Sequence, residues 1–172
     1  EYQEAQAQLL IHSPRYAALT DPAPLKLKEI QRQSLDRDTL LLEYALGEER
    51  SFLWAVTPTS LRAYTLPRRA EIEAAALRAY GRLTRSNQRQ YRVSSEHAAA
   101  ELSRMALGPV AAELGRKRLV IVSDGALQYV PFGALPNPDA AGARAPKRGP
   151  LIVNHEVVSL PSASALATLR RQ

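Results

Sequence analysis

The sequence contains no cysteine. That removes disulfides, thiolate metal sites and a cysteine nucleophile from these residues, while leaving the redox compartment open. Aromatics are sparse, with one tryptophan and two phenylalanines, so the stacking platforms of a nucleic-acid reader are not evident. No apolar run approaches the ~20 residues of a membrane-spanning helix, and no basic-then-apolar leader opens the chain. Glycines number only eight, and none builds a phosphate-cradling loop; Asp124-Gly125-Ala126 reads as a turn. Ser123 sits in Val-Ser-Asp-Gly rather than in a Gly-x-Ser-x-Gly elbow. Three histidines, His12, His97 and His155, stand far apart. Neither a metal site nor a cofactor is expected.

Acidic residues are the minority sign, and the net charge is +6. Residues 1–86 contribute +1 and residues 87–172 contribute +5. The basic residues come as scattered pairs (Arg68-Arg69, Lys147-Arg148, Arg170-Arg171) and one triplet, Arg116-Lys117-Arg118. This pattern suits solvated faces, not a nucleic-acid stripe.

What is present is a globular composition, 45% apolar over 172 residues, enough for one core or a core with an appendage. The chain begins with Glu1 and its one methionine is Met105, so a piece of a longer protein is expected. Residues 1–20 begin helix-like and break at Ser13-Pro14; residues 20–25 read as a linker, and Leu25–Ser34 as a short helix with Leu25, Leu27, Ile30 and Gln31 on one side. Three strand-like runs follow, Thr39–Leu46, Ser51–Thr57 and Ser60–Leu66, joined by hairpin-length connections. In the second run Phe52, Trp54 and Val56 form a bulky face and Leu53 and Ala55 a slimmer one; Trp54 reads as a core or inter-layer residue. Ala70–Leu83 reads as a helix with a stripe of Ile72, Ala76, Leu77, Tyr80 and Leu83. A second helix spans about Ser94–Leu114, capped by Ser94 or Ser95, buried through Leu102, Met105, Ala106, Val110 and Leu114, and split at Gly108-Pro109. His97 lies four residues before Glu101, as a helix-surface pair would.

The stretch Arg116–Leu135 organises the remainder. Leu119-Val120-Ile121-Val122 is apolar and mostly β-branched, as befits a strand buried on both faces. It ends at Ser123-Asp124-Gly125, beyond which ligands of open α/β sheets usually bind. Asp124 or Gln128 could face such a channel, although a turn-fixing aspartate is the plainer reading. Pro136–Pro150 is a surface loop. Leu151–Val153 and Glu156–Leu160 read as strands around Asn154-His155, and a helix runs over Ala165–Arg171.

Asp124, Gly125, Leu127, Pro131, Phe132 and Leu135, followed after a variable loop by Pro161 and Ser162, form an ordered pattern. It is a strand ending in Ser-Asp-Gly, a leucine, Pro-Phe-x-x-Leu, then a strand ending in Pro-Ser with a helix. Together with the meander upstream, this pattern resembles the front half of the bacterial CHAT domain. That family is related to caspases and separases and is found with tetratricopeptide repeats. The resemblance covers roughly residues 35–172, and residues 1–34 resemble the tail of a helical repeat region. It implies an α/β fragment: an antiparallel meander and two helices leading into the first strands of a caspase-like sheet. The eight motif residues would be structural, with no catalytic residue among them. The family's catalytic histidine, followed by glycine, and its cysteine would lie on strands after Arg171. His155 is followed by Glu156 and is not that histidine.

The expected function is therefore that of a non-catalytic N-terminal portion of a cysteine peptidase domain in a larger bacterial protein. The alternative is an inactive scaffold for protein interaction, and a third reading is a serine hydrolase using Ser123 or Ser162 with His155. Expected partners are a protein or peptide and the repeat region of the same parent chain. Neither nucleic acid nor a membrane segment is expected, and an open sheet edge invites self-association. Localisation stays open, with the cytoplasm favoured over secretion.

Overall fold

In the computed structural model, residues 25–83, 92–138 and 149–170 are described. The readings for residues 1–24, His12 included, and for the middle of the 136–150 loop lie outside them.

A continuous apolar run with β-branched and aromatic members makes β1 (Thr39–Ala45) a strand with neighbours on both sides. Glycine and charge at 47–50 turn it into β2 (Ser51–Val56), and Pro58-Thr59 turns that into β3 (Leu61–Leu66). The meander read from the sequence is thus present to within a residue or so at each end. Two helices intervene, α2 (Arg69–Leu83) and α3 (Arg92–Ala106), before β4 (Arg118–Val122) enters beside β1. β5 (Val157–Leu160) then pairs with β4. The result is a five-stranded mixed sheet in the order β3-β2-β1-β4-β5. Its β1-β2-β3 side is antiparallel and its β1-β4-β5 side parallel. The α/β class expected from the sequence is what forms.

The two faces are covered differently. On one, Leu40, Leu42, Tyr44, Leu53, Ala55, Leu119 and Ile121 meet α2, α3 and the short helix α4 (Ala111–Leu114). Three single 3-10 turns, Gly125–Tyr129, Phe132–Ala134 and Leu151–Val153, complete this layer. On the other, Leu41, Val56, Val120 and Val122 meet α1 (Leu27–Gln33) and α5 (Ala163–Arg170). Gln31 ties α1 to the turn after β2 through Thr57 O at 3.0 Å. Arg170 ties the end of α5 to Asp36 just before β1 at 3.1 Å. The Thr39 hydroxyl, 2.6 Å from Asp36, is the main cause holding that carboxyl below its usual range.

Several local readings are corrected. The buried stripe of α2 is Ile72, Ala75, Ala76 and Ala79, while Leu77 is 61% exposed and Tyr80 is also exposed. Small residues let α2 approach its neighbours closely, and Leu77 falls off the 3.6-residue stripe they define. Helix α3 is described over Arg92–Ala106, so Ser94 and Ser95 lie inside it rather than at its cap. The split at Gly108-Pro109 is real: a 3-10 turn over Gly108–Val110 separates α3 from α4. Leu151–Val153 is a turn and not a strand. Leu151 N donates to Leu135 O, and Asn154 N and His155 N fold back onto Leu151 O. Leu151 is buried while Ile152 and Val153 are exposed. In β2 the slimmer face is the sealed one: Leu53 and Ala55 are fully buried, whereas Phe52 and Trp54 are half-buried.

Candidate functional site

Parallel strands β1 and β4 end together, and their carboxyl ends are bound by one polar knot. Asp124, just past β4, accepts a 2.8 Å hydrogen bond at Oδ2 from Leu46 N, just past β1. Arg69, opening α2, donates from Nη2 to Leu46 O at 2.6 Å and lies 3.5 Å from the same Asp124 oxygen. Its backbone N–H donates to Gly47 O at 2.8 Å, and its Nη1 reaches Glu73 at 3.3 Å. Glu48 stands 3.8 Å from its Nε. A guanidinium is suited to this role because its planar fork satisfies several acceptors at once.

Gly125 follows in the left-handed region, φ +54°. A Cβ there would stand 2.5 Å from Glu73 Oε1 and 3.1 Å from Leu46 Cδ1. The Asp-Gly pair is thus required by a tight turn inside a crowded knot. The chain then winds inward: Leu127 N donates to Asp124 O, and Val130 N to Leu127 O. Leu127, Phe132 and Leu135 are buried, Phe132 at 1% exposure, with its ring 5.7 Å from that of Tyr44. Burial pushes the Tyr44 hydroxyl far above its ordinary value, and that hydroxyl donates to Ala106 O at 3.1 Å. Pro131 is exposed, and its carbonyl accepts from Ala134 N. Gln128 is also exposed.

The second half of the pattern caps a helix. Pro161 is exposed, and the half-buried Ser162 accepts at Oγ from Ala165 N at 3.1 Å, satisfying a free donor in the first turn of α5. Of the eight motif residues, Asp124 and Gly125 lie in the knot, Leu127, Phe132 and Leu135 in the core below it, Pro131 between them, and Pro161 and Ser162 at the end of β5.

Chemistry at this edge has little to work with. Ser123 is half-buried beside Asp124, but His155 lies at the opposite end of the sheet. There it is buried, 4% exposed, with Nδ1 donating to Lys117 O at 2.8 Å just before β4 begins. Lys117 and Ser123 are six residues apart along an extended strand, roughly 20 Å. Ser162 follows β5, whose Leu160 pairs with Val122 at the same far end. Neither serine meets His155, which removes the serine-hydrolase reading. Among the described residues no group of three or more His, Asp or Glu is placed to hold a metal ion. No described helix is long and apolar enough to cross a membrane.

Sequence reasoning missed two residues, one in the knot and one outside it. In the sequence Arg69 reads only as half of a scattered basic pair; its position two residues after Pro67, where a helix starts beside two strand ends, is the available signal. Glu43 is the other. It is a single carboxylate inside Leu-Leu-Leu-Glu-Tyr, directly opposite Trp54 on β2 and Val122 on β4. It is half-buried, and desolvation raises its pKa.

Residues 96–172 match the family model of the CHAT domain, from within α3 through α5. No curated protein matches the chain.

Proposed function

We propose that this chain, whose residues 96–172 match the CHAT domain family model, is a non-catalytic part of a caspase- or separase-like cysteine peptidase domain in a larger protein. Its role is to supply the sheet against which the catalytic strands are set. The observation that carries this reading is the use made of the family's motif. The Asp124 carboxylate is engaged by Leu46 N and Arg69, and Phe132 and Leu127 are sealed in the core. The motif builds a platform and leaves no side chain in it for bond cleavage. The chain also contains no cysteine, so a thiolate nucleophile has to come from elsewhere.

The test uses the full-length protein and the 172-residue chain side by side against a pooled peptide substrate library. The expected result is cleavage by the full-length protein that is abolished when its cysteines outside this chain are changed to alanine, with none by the chain alone. Cleavage by the chain alone would overturn the reading. A full-length protein with no cleavage under any condition would favour the second reading, an inactive interaction scaffold. That second reading draws support from the open flank of the sheet, where β5 is an edge strand bordered by exposed Ile152 and Val153.

A further inference from the structure

Among the described residues, the sheet face that carries α1 and α5 is covered only in part. Cross-strand register defines its rows. One row, Val158, Val120, Leu41, Val56 and Leu61, runs across all five strands. Its Val120, Leu41 and Val56 pack with Leu35, Ala163 and Leu166 beneath the two helices. The next row toward the carboxyl end of β1 reads Leu160, Val122, Glu43, Trp54 and Ala63. Beyond it come Ala45, Phe52 and Thr65. In this upper region Glu43, Ala45, Phe52 and Trp54 are half-buried, and Ala63 and Thr65 are exposed.

Phe52 and Trp54 stack in parallel, their ring centroids 6.1 Å apart and their planes 17° from each other. One cation already uses this surface: the Arg50 guanidinium lies 5.6 Å over the Phe52 ring. Glu43 stands directly across from Trp54, a spacing that brings Cβ atoms within about 5.5 Å. Among the described residues it has neither an ion pair nor a hydrogen bond, and its flanking neighbours on this face, Leu41, Ala45, Trp54 and Val122, carry no charge. A carboxylate half-removed from water without a partner opposes folding, and here it sits beside an aromatic face, which attracts cations by its quadrupole.

We propose that this patch is a docking site for a partner polypeptide that presents an arginine or lysine side chain, its charge meeting the Glu43 carboxylate and its stem lying on Trp54. Charge complementarity selects the occupant. A cation would supply the missing partner of Glu43 and a face for the indole at once, while the exposed row of Ala63 and Thr65 on edge strand β3 leaves room for the flanking residues. The bond is charge-assisted and gains from the low polarity of its surroundings. This inference does not depend on whether the parent protein cleaves peptides.

Trp54 is the one tryptophan of the chain, so its emission reports on the patch directly. The 172-residue chain is titrated with the capped tripeptide Ac-Leu-Arg-Leu-amide and with the same peptide carrying citrulline, the neutral isostere of arginine. The expected result is saturable change with the arginine peptide and binding weaker by about tenfold or more with citrulline, the scale of one charge-assisted contact. Glu43→Gln should abolish that preference while remaining folded by circular dichroism, because it removes no interaction within the chain. Equal binding of the two peptides, or a preference that survives Glu43→Gln, would overturn the proposal. Capped arginine amide binding as tightly as the tripeptide would also overturn it, by assigning the patch to a small cation. Amide chemical shifts supply an independent arm: perturbations centred on residues 43, 52 and 54 support the proposal, and perturbations confined elsewhere sink it.

Discussion

The two faces of this sheet are built to opposite standards. The face under α2 and α3 buries Phe132, Leu40, Leu42, Leu53, Ile72, Leu102 and Leu119 almost completely, and its rim is closed by the Asp124–Arg69 knot. The face under α1 and α5 has two short helices, of seven and eight residues, and leaves Phe52, Trp54 and Glu43 partly open. The same five strands form both faces, so the difference comes from the side chains each face presents and from what is laid on them. Among the described residues one face is finished, and the other retains surface and charge that a neighbour could complete. A sealed layer gives rigidity, and a half-covered one gives a place to bind.

If that contrast is correct, substitutions should sort by face. The largest effect belongs to Phe132→Ala, which empties a fully buried site and should cost ~3–5 kcal/mol in a denaturant melt. A loss below about 1 kcal/mol would mean that the sealed face is not sealed there. Gly125→Ala combines a left-handed backbone with a close approach to Glu73 and Leu46, and should cost about 2 kcal/mol. Asp124→Ala leaves Leu46 N without its acceptor. Since Asp124 and Arg69 are 38% and 34% exposed, water compensates in part and the loss should be about 1–2 kcal/mol. A double-mutant cycle with Arg69→Ala should show coupling, because both side chains converge on Leu46.

The smallest effect has the opposite sign. Glu43→Gln should stabilise the chain at neutral pH by about 0.5–1 kcal/mol, because it removes an unpaired, half-buried charge. Burial raises the Glu43 carboxyl above its unfolded value, so the folded state binds this proton more tightly. The stability linked to that proton is fully present below the ordinary carboxylate range and lost as pH rises through the raised value. The advantage of Glu43→Gln should therefore shrink as pH falls through that window. A constant gap, or one that widens on acidification, would remove desolvation as its cause.

Much of this was legible in the residues. The meander showed in its alternation and hairpin-length connections, and the split of the second helix in Gly108-Pro109. The resemblance to the CHAT domain was readable as an ordered set of small signals, and residues 96–172 match that family model. What escaped was whatever depended on partners distant in sequence. Leu77 and Tyr80 looked like core because hydrophobicity outweighs alanine in any stripe, whereas close helix packing prefers the alanines. Leu151–Val153 looked like a strand because β-branching is local and pairing is not. Arg69 had no visible role until β1 and β4 were placed side by side.

That placement sets an order of assembly. β1, β2 and β3 are joined by tight turns and can pair within a short stretch of chain, on the fast side of folding timescales. The bond from Leu46 N to Asp124 spans 78 positions, and the parallel pair it locks cannot form until α2 and α3 have brought β4 round. Loop closure of that kind is slow and unrewarded until it is complete. Until then β1 has a bare inner edge and the leucines beside it are wet. The knot at Arg69 thus closes only after the meander has formed, and a chain emerging from a ribosome would expose β1 throughout the synthesis of α2 and α3.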